Sequence, residues 1–279
     1  MKDSTIGFIG GGNMARSLIG GLLADGVLPQ HIWVSDPNET ALRNLQTHFA
    51  VHTTASNSEA ARHAQVVVLA VKPQAAKAVA QELAPLVQGK RPLVISIAAG
   101  IRETKLREWL GEDVAIVRTM PNTPALVRSG ATALFANAIT SKEQKNLAES
   151  ILRAVGMTLW VDDESLMDAV TALSGSGPAY FFLVMEALEN AGHHLGLPRD
   201  IARLLTLQTA FGAAKMALES TEELAALRHQ VTSPGGTTER AINVLEQHCI
   251  AAVFDEALHA AHQRSVELAT LFGNDNRKI

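Results

Sequence analysis

Cysteine is nearly absent: Cys249 is the single one in 279 residues. One thiol cannot close an internal disulfide, so no disulfide framework holds the chain, and a reducing compartment fits it. Cys249 lies in a helical pattern and reads as a packed thiol rather than a nucleophile. Aromatic residues make up 4% and no basic block occurs, which excludes the stacking platforms and cationic stripe of a nucleic-acid binder. No apolar run reaches the ~20 residues of a membrane span. Charged residues are scarce, 19% against roughly 25% in soluble proteins, while hydrophobic ones reach 47%. Without a bilayer, that apolar surplus is best explained by a buried interface between subunits. No HExxH or cysteine cluster occurs, and His259 and His262 share a helical face with no acid or cysteine to complete a ligand set, so no metal is expected.

The feature that organises the rest is the start, Thr5-Ile6-Gly7-Phe8-Ile9-Gly10-Gly11-Gly12-Asn13-Met14-Ala15. A short apolar strand runs into Gly10-x-Gly12-x-x-Ala15, and Leu18, Ile19, Leu22 and Leu23 follow at helical spacing. That context makes it a dinucleotide fingerprint rather than a chance glycine cluster. Gly10 permits the tight turn, Gly12 lets backbone approach a pyrophosphate, and the small Ala15 lets helix pack close on strand. The helix N–H groups and dipole then face the phosphates. The next apolar run, His31 to Ser35, ends in Asp36, 21 positions after Ala15. An acid at that distance sits where it can bond the adenosine ribose hydroxyls, although Asp36-Pro37-Asn38 is also a good turn.

Up to about residue 120, short apolar runs (Ile6–Ile9, Ile32–Val34, Val66–Val71, Leu93–Ala98, Val114–Thr119) alternate with helical patterns near 13–25, 39–47, 74–87 and 103–110. Runs such as Val66 to Val71 are apolar on both faces, as in parallel strands covered on both sides. The fold class is therefore α/β, a doubly wound and mostly parallel sheet. Runs at Ala131–Phe135 and Met157–Val161, with a helix at about 141–155, extend its edge. Ligands bind outside the carboxyl ends of such strands. Here those ends are Lys72-Pro73-Gln74, Ala98-Ala99-Gly100 and Met120-Pro121-Asn122-Thr123-Pro124. Lys72 is open both to a ribose contact and to plain solvation.

From about 163 the strand signals stop, which divides the chain into a nucleotide-binding domain, 1–162, and an all-α domain, 163–279. Asp162-Asp163-Glu164 offers caps and dipole partners. Helical patterns run 164–173, 178–195, 199–219, 222–230, 238–247 and 250–271, with Pro178 and Pro198 in first turns. Ile250, Val253, Ala257, Ala261, Ser265, Leu268 and Leu271 form one stripe suited to packing on a second copy. A second glycine cluster, Ser233-Pro234-Gly235-Gly236-Thr237-Thr238-Glu239, lies between helices. Thr237 or Thr238 can cap the helix that follows. Its free N–H groups suit a carboxylate, with an ordinary capped turn as the alternative.

This is the plan of a two-domain oxidoreductase. Hydroxyacid dehydrogenases of similar plan resemble one another in using a lysine on the first helices of the second domain, yet no lysine occurs between Lys145 and Lys215. Oxidising an alcohol needs a positioned base; reducing an iminium asks less, since the nitrogen can arrive protonated.

At these residues the chain closely resembles the pyrroline-5-carboxylate reductases. The resemblance covers essentially the whole length, through Phe8 to Met14, Ala70-Val71-Lys72-Pro73, Ser96 to Gly100, Met120 to Pro124, Ser174-Gly175-Ser176-Gly177-Pro178-Ala179-Tyr180 and Ser233 to Thr238. The last two are the most specific, because a generic dinucleotide fold has no need of them. The resemblance implies a Rossmann domain followed by a helical domain that interlocks in a homodimer, built in some members into decamers. It implies reduction of 1-pyrroline-5-carboxylate to L-proline with hydride from NAD(P)H, the last step of proline biosynthesis. It places Ile9, Gly10, Gly11, Gly12, Asn13 and Met14 at the pyrophosphate, Ser35 and Asp36 at the adenosine ribose and Asn57 near the adenine. Ala70, Val71, Lys72, Pro73, Ala98 and Ala99 then line the nicotinamide riboside. Asn122, Ser176, Ser233, Gly235, Gly236, Thr237 and Thr238 fall to the substrate, with the Thr238 hydroxyl near the ring nitrogen as hydrogen-bond partner or proton donor. Asp36 would repel a 2′-phosphate and favours NADH where family habit favours NADPH, so use of both is expected. A fold that begins by residue 5 is expected to leave no room for a leader, and a cytoplasmic location is expected. Another imine reductase on the same scaffold, and a non-catalytic NAD(P)H sensor, are the rival readings.

Overall fold

Residues 3–273 are described in a computed structural model. The apolar runs become strands β1 (Ile6–Ile9), β2 (Ile32–Ser35), β4 (Val66–Leu69), β5 (Leu93–Ser96), β6 (Ile116–Met120), β7 (Gly130–Ala136) and β8 (Gly156–Trp160), with β3 at His52–Thr54. They form one sheet in the order β3-β2-β1-β4-β5-β6-β7-β8. All neighbours are parallel except β6 and β7. The helices are α1 (Asn13–Ala24), α2 (Glu39–Phe49), α3 (Asn57–His63), α4 (Pro73–Lys90), α5 (Glu103–Leu110) and α6 (Lys142–Arg153).

Side chains alternate across each strand, and both faces are buried, which is why the runs are continuously apolar. Ile6, Phe8, Val66, Val68 and Ile95 pack on one face with Leu18, Leu22 and Ile151. Ile9, Val67, Leu69 and Val94 pack on the other with Leu83, Leu106 and Leu110. Between β1 and β4 the strand order reverses, so the connections from those two strands leave on opposite faces and open a crevice at their carboxyl ends.

The remaining helices are α7 (Leu166–Val170), α8 (Gly177–His194), α9 (Arg199–Glu219), α10 (Leu224–Gln230), α11 (Thr237–Gln247) and α12 (Ile250–Gly273). Among the described residues no helix is long and apolar enough to cross a membrane. The chain forms two compact units, one of residues up to Ser176 together with those from Ala261 on, the other Gly177–Ala260. The boundary expected at 163 thus falls at 177 in contact terms, and α12 contributes to both units. Local anchors keep 163–176 with the sheet: Glu164 accepts from Arg118 Nη1 (2.8 Å) and from the Glu103 N–H (2.6 Å), and buried Asp168 accepts from the Ser265 hydroxyl (2.7 Å). Asp163 closes a local turn rather than a helix cap, accepting the Ser165 N–H at 2.8 Å, while α7 has no side-chain cap bond. That N–H, followed by the Ser165 hydroxyl, holds its carboxyl below the usual range.

Three local expectations are corrected. The helix expected over 164–173 is α7 followed by a π turn, Thr171–Gly175. Cys249 stands in a left-handed turn (φ 52°) between α11 and α12, exposed in the single chain, because two helices meet there. The cap of α11 is Gly236, with extended backbone (φ −82°, ψ 173°) and no side-chain cap bond; Thr237 and Thr238 already lie inside the helix and cannot take the cap geometry.

The helical unit has almost no core of its own in the single chain. Phe181, Phe182, Leu183, Leu204, Phe211 and Leu218 are each more than 60% exposed. A soluble surface rarely tolerates so large an apolar set unless another chain covers it.

Candidate active site

The crevice is built first by backbone. Gly10 takes φ 104°, and a Cβ there would stand 2.5 Å from the Ala70 carbonyl oxygen. The Gly10 N–H donates to Ser35 O (2.8 Å) and the Ala70 N–H to Ile9 O (2.8 Å), so the turn is pinned between β2 and β4. Only glycine fits that close approach. Gly12 is the opposite case: a Cβ there would meet nothing within 4 Å. It is the N-cap of α1, with no side-chain cap bond and no acid in the first turn. Elsewhere side chains do cap, as Asn38 on α2, Ser56 on α3 and Ser141 on α6. The open, positively polarised start of α1 at the strand-order reversal fits the pyrophosphate of a dinucleotide.

Asp36 follows β2, half-buried. Its Oδ2 accepts the Gly11 N–H and its Oδ1 the Asn38 N–H, each at 2.8 Å. The carboxylate is therefore a strut between the glycine loop and the turn after β2, with lone pairs remaining for ribose hydroxyls. Ser35 is fully buried, and its hydroxyl donates to Asn57 Oδ1 (2.8 Å), while Asn57 Nδ2 donates to Glu82 (2.9 Å). These two side chains tie α3 and α4 to the end of β2. Ala70 to Pro73 run from β4 into α4, with Lys72 exposed at its start, and Ala98 and Ala99 follow β5. The residues expected at the cofactor thus lie at the carboxyl ends of β1, β2, β4 and β5, in the loops leaving them, or in the first turns of α1 (Asn13, Met14) and α4 (Pro73), and Asn57 at the start of α3 bonds Ser35.

The substrate set divides between the units. Asn122 and Ser176 belong to the sheet unit, Asn122 after β6 and Ser176 at the end of the π turn. Asn122 Nδ2 donates to both Ser174 O and Ser174 Oγ (3.2 Å each), and its Oδ1 accepts the Ala131 N–H (2.9 Å). Ser233 to Gly236 form their own turn in the helical unit, and Thr237 and Thr238 open α11. Gly235 takes φ 73°, its N–H donates to Glu239 Oε2 (2.9 Å), and Gly236 N–H donates to Ser233 O (3.0 Å). Glu239 shapes the turn and leaves the first N–H groups of α11 without a side-chain cap. Among the described residues no cluster of His, Cys, Asp or Glu could hold a metal ion.

Sequence reasoning missed the ion pair that braces this end of the sheet. Arg118 on β6, 4% exposed, meets Glu164, and Asn137 Nδ2 donates to buried Glu103. A charged residue inside an apolar run was the available signal.

Comparison with known proteins agrees with this geometry. Residues 164–268 match the family model described as pyrroline-5-carboxylate reductase dimerisation, and residues 5–100 that of NADP oxidoreductase coenzyme F420-dependent. The pyrroline-5-carboxylate reductase of Pseudomonas aeruginosa is 54% identical over 98% of this chain and 100% of its own. The solved structure of a pyrroline-5-carboxylate reductase from Coxiella burnetii has a TM-score of 0.91 at 51% identity, covering 95% of this chain and 98% of that one. The Plasmodium falciparum pyrroline carboxylate reductase with NADP bound has a TM-score of 0.86 at 31% identity, covering 96% and 99%. Glycine loop, strand-order reversal, exposed helical face and full-length likeness converge, and the chain belongs to the pyrroline-5-carboxylate reductase family.

Proposed function

We infer that the protein reduces 1-pyrroline-5-carboxylate to L-proline with NAD(P)H, as the last step of proline biosynthesis. The observation that carries this reading is the pair of glycine-led, uncapped helix starts. One opens at the strand-order reversal, where a dinucleotide fits. The other opens within Ser233–Thr238, where a carboxylate fits. A bound reduced nicotinamide supplies the hydride that C5 of the cyclic imine accepts, while the ring nitrogen ends as an amine. The chain itself binds and orients. The α1 start and Gly12 hold the pyrophosphate, and Asp36 fixes the ribose. The α11 start holds the substrate carboxylate, and the Thr238 hydroxyl bonds the ring nitrogen. Positioning alone can account for several kcal/mol of barrier reduction, and a substrate that arrives protonated needs no strong acid from the protein. The active form is a homodimer through the helical unit, whose exposed Phe and Leu side chains require a cover; assembly into a decamer is the larger form this reading allows. A reducing, cytoplasmic setting fits the exposed Cys249 thiol.

The test is NAD(P)H oxidation at 340 nm by the purified protein with pyrroline-5-carboxylate. Turnover supports the reading. Tight cofactor binding without turnover points to another cyclic imine or to a sensor. Thr238→Val should lower kcat/KM about tenfold, the worth of one hydrogen bond near 1.4 kcal/mol, with cofactor affinity unchanged. Full retention removes Thr238 from the mechanism.

Both cofactors should support turnover, with NADH favoured by the Asp36 carboxylate. Asp36→Ser should shift the NADPH to NADH ratio of kcat/KM upward by about tenfold, as expected from removing one close like charge. Absolute activity with NADH should fall at the same time, since the Gly11 N–H loses its acceptor. An unchanged ratio would show that Asp36 does not face the ribose.

A further inference from the structure

Asn122 was expected among the substrate contacts, yet its amide is committed elsewhere. A carboxamide has two N–H donors, and both acceptors near Nδ2 belong to Ser174, while Oδ1 takes the Ala131 N–H of β7. Ser174 lies inside the π turn Thr171–Gly175, closed by the Ser176 N–H on Thr171 O (2.9 Å). A π turn holds one residue more than an α turn, is rare, and concentrates at functional sites. The same strand end touches this one a second time, since the Met120 methyl at the end of β6 lies against Gly175. The Asn122 hydrogen bonds thus fasten the turn to the segment that leaves β6, and the turn delivers the half-exposed Ser176.

We propose that Asn122 is a positioning residue for the reductase reaction. It holds the π turn in register with the sheet end and acts through Ser174 to place Ser176, without touching the substrate. The proposal rests on the reductase reading, and the wild-type assay separates the two. Without wild-type turnover that reading fails; with it, the variants judge Asn122 alone.

The experiment is a double-mutant cycle of Asn122→Ala and Ser174→Ala in the dimeric enzyme, read as kcat, KM for each substrate, and cofactor affinity by fluorescence titration. Asn122→Ala should lower kcat about tenfold at unchanged cofactor affinity, and Ser174→Ala should lower it by a smaller factor in the same direction. The double variant should be no worse than Asn122→Ala, because both remove one link. Should Asn122→Ala not fold as a dimer, Asn122→Asp replaces it: it keeps an acceptor for Ala131 and sets a carboxylate oxygen against the Ser174 carbonyl, so the same kcat loss is expected. Direct substrate contact predicts a different pattern, with a raised KM for pyrroline-5-carboxylate in Asn122→Ala and a silent Ser174→Ala. That pattern overturns the proposal, as does a kcat within twofold of wild type in whichever Asn122 variant folds.

Discussion

Gly10→Ala should cost the enzyme its cofactor. The added methyl would meet the Ala70 carbonyl oxygen at 2.5 Å and its carbon at 2.8 Å, both backbone, and φ 104° is itself strained for alanine. Neither neighbour can give, because Gly10 is bonded to Ser35 and Ala70 to Ile9 across the sheet. The loop must flip or β4 must part from β1. Strain and overpacking together cost about 2–4 kcal/mol. We expect NADH affinity to fall roughly 30- to 1,000-fold, in proportion to that cost, with a lower melting temperature. Gly12→Ala is the matched control, since its methyl meets open space and its φ is −70°. It should leave the melting temperature of the free protein unchanged and still weaken the cofactor, because the methyl occupies ground the pyrophosphate needs. Isothermal titration of both variants checks this; a Gly10→Ala protein binding within threefold of wild type would move the nucleotide site away from this crevice.

Glu164→Ala should be strongly destabilising. It strands the Arg118 guanidinium, 4% exposed on a central strand, and removes the acceptor of the Glu103 N–H. Breaking a buried pair from one side costs about 3–5 kcal/mol, whereas replacing both partners by apolar groups can be nearly neutral. At ~2–4 °C per kcal/mol for a chain of this size, the melting temperature should drop by roughly 6–20 °C. The double variant Arg118→Met, Glu164→Leu should recover most of that loss. Thermal unfolding of the three proteins decides it: a single variant as stable as wild type would mean Arg118 has a substitute partner.

How far the sequence exposes this architecture depends on how local each cause is. The strands β1, β2, β4 and β5 declare themselves because burial on both faces leaves the run apolar up to its last residue, a serine in β2 (Ser35) and in β5 (Ser96). The glycine loop does so because backbone proximity to a ligand selects residue type at fixed spacing. By contrast, β3 is three residues with exposed His52, and α3 buries only Ala60 and Ala61, too little to stand out as a pattern. The Arg118–Glu164 pair joins residues 46 apart, and the Asn122–Ser174 clamp residues 52 apart. Pairings at that distance leave no trace in periodicity. Asn122 was visible as a residue of interest, and its bonds to Ser174 and Ala131 were not, because the partners that absorb its amide are set by tertiary structure. Thr237 and Thr238 misled for a simpler reason: a threonine beside a glycine looks like a cap, and here the extended backbone belongs to Gly236.

The return of α12 to the sheet unit has its own consequence. Residues 177–260 are an insertion within the other unit rather than an appendix at its end, and the chain crosses between units twice, at 176–177 and at 260–261. A protease that nicks one crossing leaves both fragments tethered through the other. Release of the helical segment as a free fragment therefore requires two cuts, and a single-hit digest should still run as one particle until denatured.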